Sequence, residues 1–434
     1  MLVYTHRLTE RNNFIFQLIF GGLLGLDVVV TTDLARYGAS PEEKLAYTDK
    51  EPTNGFFVES VPLLFQTGIS EDQPDVFFFA GLPFFFKTRS GHLSFDLFAA
   101  SFYLVSRYEE YLSFVPDQYG RFPAKASLAY KHGFLQTPVI NCWVQELKSA
   151  LHHFYPSLRF AQHRFQSTIS FDIDVAYAYK GRPFWLHAGA LLKDLLLIRI
   201  TNLLKRREVL AGKKKDPYDT YQDIREMLLR YRATALFFFL LAVRRTRFDR
   251  NLSPRSQQLQ QLIIQCCVDG DLGIHPSYYS MEKPGLLQQE KRALENLSGQ
   301  TILRSRQHYL RFRLPDTFTR LAAAGITDDY SMGYAELPGF RAGICTPFYF
   351  FDLTANKATT LKLHPVAYMD GTFIEDLQLH PQDSISVIKQ LIEAVKQVQG
   401  NFLCIWHNHT ISDTETYKGW KQVLEETLQL VYES

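Results

Sequence analysis

Apolar and polar positions change their period part-way along the chain, and the change divides it into two expected regions. In the first, up to about residue 160, apolar runs are short and turns frequent. Val76-Phe77-Phe78-Phe79 and Leu82-Pro83-Phe84-Phe85-Phe86 are unbroken apolar runs, and Phe95, Phe98, Phe102 and Val105 recur at helical spacing, which predicts a buried helix. Phe14 to Val30 is also apolar, but Gln17 and Asp27 interrupt it and it is short for a membrane span. It reads as a buried helix passing through Gly21 and Gly22 into a strand at Asp27–Val30. No repeating strand-then-helix order is evident here, so residues 1–160 are expected to form a smaller α+β domain.

From residue 167 strands and helices alternate, the signature of an α/β domain over residues 161–434. Strands are expected at Thr168–Asp174, Thr234–Leu241, up to His275, Thr301–His308, Ile326–Tyr330 and Phe402–His407. The run Thr234–Leu241 is apolar throughout, as in a strand buried on both faces. Helices are expected from Ser253 to about Cys266, through Leu287, Leu294 and Leu297 to a stop at Gly299, from Pro315 to Gly325, and from Asp383 or Ser384 to Gly400. A leucine-rich insertion over roughly 184–215 ends in Lys205-Arg206-Arg207 and Lys213-Lys214-Lys215. It could rest peripherally on an anionic membrane. Packing on the domain with its basic end in water is the plainer reading.

Charge narrows the partners. The 47 Lys and Arg nearly cancel the 45 Asp and Glu, which leaves no overall field for nucleic acid. Five cysteines without a CxxC pair fit a reduced, cytoplasmic protein. The aromatic fraction, 14%, serves core packing and also suits flat platforms in sugar-binding clefts.

Polar residues at the C-terminal ends of the expected strands are the candidates for chemistry. Asp172 and Asp174 lie two apart, on one face if the strand runs that far, and two adjacent carboxylates require a cation or proton between them. One could bind a metal and the other act as a base. His275 and His308 end two further strands, with Arg306 on the parity of His308, and His407 and His409 close the last. Imidazole and carboxylate suit zinc or a similar ion. Glu109 and Glu110 diverge on a helix, so solvation or pairing with Arg107 is expected of them instead of acid catalysis.

The order Ser170-Phe171-Asp172-Ile173-Asp174, Gly273-Ile274-His275-Pro276-Ser277, a strand with Arg306 and His308, Gly325-Ile326-Thr327-Asp328-Asp329 and Ile405-Trp406-His407 resembles the polysaccharide deacetylase (NodB homology) family over residues 167–430. The resemblance implies a distorted seven-stranded (β/α) barrel that holds a divalent metal, most simply zinc, and removes N- or O-acetyl groups from a sugar or glycan. It makes Asp172 the base, Asp174 and His275 metal ligands, and His407 the proton donor, with Arg306 or Arg341 orienting the base. The chain departs from the pattern in carrying Ile173 between the two aspartates, and Tyr279 where a second metal histidine is expected. His308 is the candidate replacement. Asp328, Asp329, His364, Asp370 and His409 are candidates for supporting or substrate contacts. Without the Tyr279 ligand the alternative is an inactive barrel that binds carbohydrate or serves in assembly.

Overall fold

In a computed structural model, the chain is described throughout except at residues 53, 72, 197–199, 413 and 434. It begins with β1 (Leu2–Thr5), β2 (Val29–Thr31), β3 (Lys44–Thr48) and β4 (Phe56–Glu59), which form a parallel sheet in the order β2-β1-β3-β4. The apolar stretch after β1 is the helix Glu10–Phe16, capped by Thr9 and continued with wider turns over Gln17–Leu24, and β2 follows it. A helix at Leu34–Ala39 links β2 to β3. A strand-then-helix order is therefore present in this region, contrary to the expectation. Strands of three to five residues are too short to register as a period in the sequence. The two phenylalanine runs pair as the antiparallel hairpin of β5 (Val76–Phe79) and β6 (Leu82–Phe85), and the expected buried helix is Leu97–Val105, capped by Asp96.

The rest is built on a nine-stranded sheet in the order β12-β13-β11-β10-β9-β8-β7-β15-β14. Its strands are β7 (Gln166–Ile173), β8 (Ala235–Phe239), β9 (Gly270–Ile274), β10 (Arg304–Ser305), β11 (Asp328–Met332), β12 (Phe348–Asp352), β13 (Lys357–Pro365), β14 (Tyr368–Met369) and β15 (Asn401–His407). All neighbours pair in parallel except β12 and β13. The two residues between β13 and β14 donate to opposite ends of the sheet, Val366 to the Met332 carbonyl at 2.9 Å and Ala367 to the Leu403 carbonyl at 2.8 Å. One bent run of chain thereby draws β11 and β15 together, so the sheet curls. The expected count was seven strands. The antiparallel strand β12 and the break between β13 and β14 make nine.

Alternation along the strands coats both faces. Leu236 and Phe238 of β8, Tyr330 of β11 and Leu403 and Ile405 of β15 fill the inside, whereas Phe237, Phe239, Cys404 and Trp406 join the large core outside. That outer core is continuous with the apolar interior of residues 1–160. A polar seam also crosses between them. Arg107 pairs with Glu109 and Glu110, and Glu110 with Arg341 at 2.6 Å. The insertion forms the helices Phe184–Leu196 and Ile200–Leu210, between which residues 197–199 lie outside the described set. No helix among the described residues is long and apolar enough to cross a membrane, and the five cysteines are free thiols.

Candidate functional site

The C-terminal ends of β7, β9, β10, β14 and β15 meet at one mouth of the curled sheet. Pairing puts Asp172 level with Phe238 of β8 and with His407 of β15, all on the inner face. Gly273 of β9 is required there by close approach. A Cβ at that position would come within 2.4 Å of the Phe238 ring. Phe238 in turn lies under the Arg306 guanidinium, 4.3 Å from it. Arg306, with no exposed surface, donates to Asp172 Oδ1 at 2.7 Å and from Nε to the Tyr330 carbonyl at 3.0 Å.

Asp174 sits immediately beyond β7, where the strand has ended, and is only partly exposed. Three imidazoles surround its carboxylate: His275 Nε2 at 3.2 Å, His308 Nε2 at 3.4 Å and His407 Nε2 at 3.4 Å. In each ring Nδ1 is engaged elsewhere. His275 Nδ1 meets the Arg306 carbonyl at 2.6 Å, His308 Nδ1 meets Asp249 at 3.0 Å, and His407 Nδ1 meets Asp370 at 2.7 Å. A neutral imidazole that donates from Nδ1 presents a lone pair at Nε2. Lone pairs facing a carboxylate repel, so a proton or a cation must lie among them. Asp174, His275 and His308 bring one ligand atom each within 4.8 Å of one another, and Asp174 Oδ1 is a buried oxygen with no hydrogen-bond donor. One carboxylate and two imidazoles, each imidazole oriented by an outer acceptor, form a set that fits zinc.

The electrostatics agree with the geometry. Burial would raise the Asp174 carboxyl, yet His308 and His275 hold it well below the carboxylate range. Burial would lower His308, but Asp174 and Asp249 raise it to about 9. His407 is likewise lifted well above its ordinary value, against its burial, by Asp370 and Asp174. Beside it, His409 is pushed down to about 4 by burial and by His407. His308 and His407 are thus shifted toward positive charge beside the Asp174 carboxylate, and His409 is shifted away from it.

Several expected residues come together and others do not. Asp172, Asp174, His275, His308 and His407 line one cleft of about 360 Å³, with His409 on its wall. Arg306 reaches Asp172, whereas Arg341 does not. Arg341 is locked to Glu110 and lies over the ring of Phe312 at 4.1 Å. Tyr279 lines a neighbouring hollow with Val243, Asp249 and Lys283, and is not among the residues that line the cleft. Asp328 pairs with His364 at 2.8 Å, and the His364 ring stacks on Tyr330. Asp329 is buried and bonded to Ser305 and Ser331. Asp370 does join the site, through His407. The residue that sequence reasoning missed is Asp249. It follows β8 in an irregular loop and carried no strand-end signal. The strand expected over Thr301–His308 is shorter, Arg304–Ser305, and Tyr309, with a φ of 63°, turns the chain just after His308.

Residues 1–156 match a family model described as a family of unknown function, DUF7033. No curated protein matches the chain. Among solved structures, it is similar to a Mycobacterium smegmatis protein assigned as a polysaccharide deacetylase, at 13% identity and a TM-score of 0.40, over 62% of this chain and 84% of that one. It is also similar to the 4-alpha-glucanotransferase of Thermococcus litoralis, at 12% identity and a TM-score of 0.36, over 63% and 38% of the two chains. A third similarity is to the polysaccharide deacetylase Bc1974 of Bacillus cereus, at 9% identity and a TM-score of 0.28, over 62% and 88%.

Proposed function

We propose that the chain is a metal-dependent hydrolase that removes N- or O-acetyl groups from a sugar or glycan. The single observation that carries this reading is the meeting of Asp174, His275 and His308 beside a separate buried carboxylate, Asp172, and a carboxylate-held imidazole, His407. A divalent ion such as zinc, held by Asp174, His275 and His308, would supply Lewis acidity toward the acetyl carbonyl and toward water. Asp172, paired with Arg306, accepts the proton of the attacking water as its oxygen bonds to the carbonyl carbon. His407, oriented by Asp370, gives a proton to the departing nitrogen or oxygen as its bond to that carbon breaks. Acetate and a free amine or hydroxyl result.

An inactive carbohydrate-binding barrel was the alternative because Tyr279 replaces a ligand. His308 meets that objection, since it offers a third ligand atom from the turn His308–Leu310 that follows β10. In this reading residues 1–160 are a domain packed on the barrel, and neither nucleic acid nor a membrane is needed as a partner. The test is acetate release from acetylated monosaccharides and oligosaccharides by the zinc-loaded full chain. Activity should be lost in Asp172→Asn and Asp174→Asn and kept in Asp328→Asn. If the wild type releases no acetate from any of these sugars, the deacetylase reading fails.

A further inference from the structure

One wall of the cleft is not made by the curled sheet. It is the turn Asp117–Arg121, which belongs to the N-terminal region matched by the family of unknown function. Asp117 Oδ1 accepts from the Tyr119 and Arg121 amides, both at 2.9 Å, and its Oδ2 pairs with Arg121 Nε at 2.7 Å, so the turn is internally braced. It is also bolted to the segment just after His308. Arg121 Nη1 donates to the Tyr309 carbonyl at 2.7 Å, and Arg311 Nε donates to the Tyr119 carbonyl at 2.6 Å. Through these bonds the Tyr119 ring is held 5.1 Å from the Tyr309 ring, with the Arg121 guanidinium 4.8 Å from its centre. Tyr309 is itself 4.6 Å from the His308 ring.

Both tyrosines line the cleft and both keep part of their surface exposed. Tyrosines that served only packing would be expected to bury their rings against the core. Tyr309 stands against a candidate metal ligand and Tyr119 against Tyr309, braced by two arginines that each bond a tyrosine's backbone. Flat rings of this kind take the apolar C–H face of a pyranose, while their hydroxyls meet its polar rim.

We propose that Tyr119 and Tyr309 form a subsite for the sugar unit adjoining the one whose acetyl group reaches Asp174, so that the N-terminal region makes the site prefer a chain over a monosaccharide. The proposal rests on the deacetylase reading for its substrate class. The probes are N-acetylglucosamine and its β-linked tetramer, given to the zinc-loaded full chain. The tetramer should have the higher kcat/KM. Tyr119→Ala should lower the tetramer-to-monomer ratio about tenfold, the upper range for loss of one aromatic contact, mainly through KM. Tyr119→Phe should keep the ratio, and Tyr119→Leu gives the same reading as Tyr119→Ala should the alanine variant not fold. A ratio near one in the wild type, or a ratio unchanged in Tyr119→Ala, overturns the subsite. If no acetate is released from either sugar, the deacetylase reading fails on its own and the subsite is judged by calorimetric binding of the tetramer. An approximately tenfold weaker Kd in Tyr119→Ala then supports it, and an unchanged Kd or no binding by the wild type overturns it.

Discussion

Replacing Arg306 with methionine should destabilise the protein severely, and most of the loss should be recoverable by a second change at Asp172. Arg306 has no exposed surface, and its partner Asp172 is almost as buried. Methionine approximates the volume of the arginine stem but cannot donate to Asp172 Oδ1 or to the Tyr330 carbonyl, which Arg306 reaches at 2.7 and 3.0 Å. Breaking a buried pair on one side costs about 3–5 kcal/mol, because a carboxylate is left without its counter-charge. The bare Tyr330 carbonyl adds about 1–3 kcal/mol. Asp172→Asn removes the stranded charge. The double variant should therefore be more stable than the sum of the single losses by about 2 kcal/mol or more, the coupling expected of residues in direct contact. Urea unfolding of the four proteins at pH 7, with chelator present, measures the cycle. A loss under about 1 kcal/mol in Arg306→Met, or additive losses in the double variant, would refute the claim that Arg306 and Asp172 form a coupled buried pair.

Three further outcomes are expected. Glu290 is wholly buried, with Oε2 accepting from the Ser277 amide at 2.9 Å and Oε1 unpartnered, and burial pushes its carboxyl up from 4.5 to about 7. Because the folded value is the higher one, its stabilising contribution is complete below 4.5 and is lost as pH rises through about 7, so Glu290→Gln should gain on wild type across that window by up to about 3 kcal/mol; a difference independent of pH would contradict this. Asp249→Asn, which weakens the contact that orients His308, should lower zinc affinity about 10- to 100-fold by calorimetry, and wild-type affinity would remove Asp249 from the site. Tyr279→His should leave zinc affinity and stoichiometry unchanged, since that position opens on a different hollow, and a gain in affinity would mean that the loop turns inward.

The parts of the fold written as long periodic segments were legible in the sequence. The uniformly apolar β8, the Leu-rich helix ended by Gly299 and the stripe of the helix Pro381–Gln397 all form close to where their patterns put them. The parallel sheet at the start of the chain was not legible, because strands such as Val29–Thr31 are shorter than the period needed to recognise them. The strands β12, β13 and β14 were passed over as well. At the site, strand-end positions were a sufficient signal for Asp172, His275 and His407. The choice between Arg306 and Arg341 could not be made from spacing, since it depends on which arginine Glu110 captures from 231 positions away in the chain. Asp249 shows the same limit. Its partner, His308, is 59 residues distant, and only the folded chain brings the two together.

The central claim is that Asp174, His275 and His308 form one metal site, and anomalous diffraction at the zinc edge from crystals grown with zinc tests it most directly. The account predicts a single strong peak about 2 Å from Asp174, His275 Nε2 and His308 Nε2, absent from crystals of His308→Ala. No peak in that cleft, or a peak that survives His308→Ala unchanged, would contradict it.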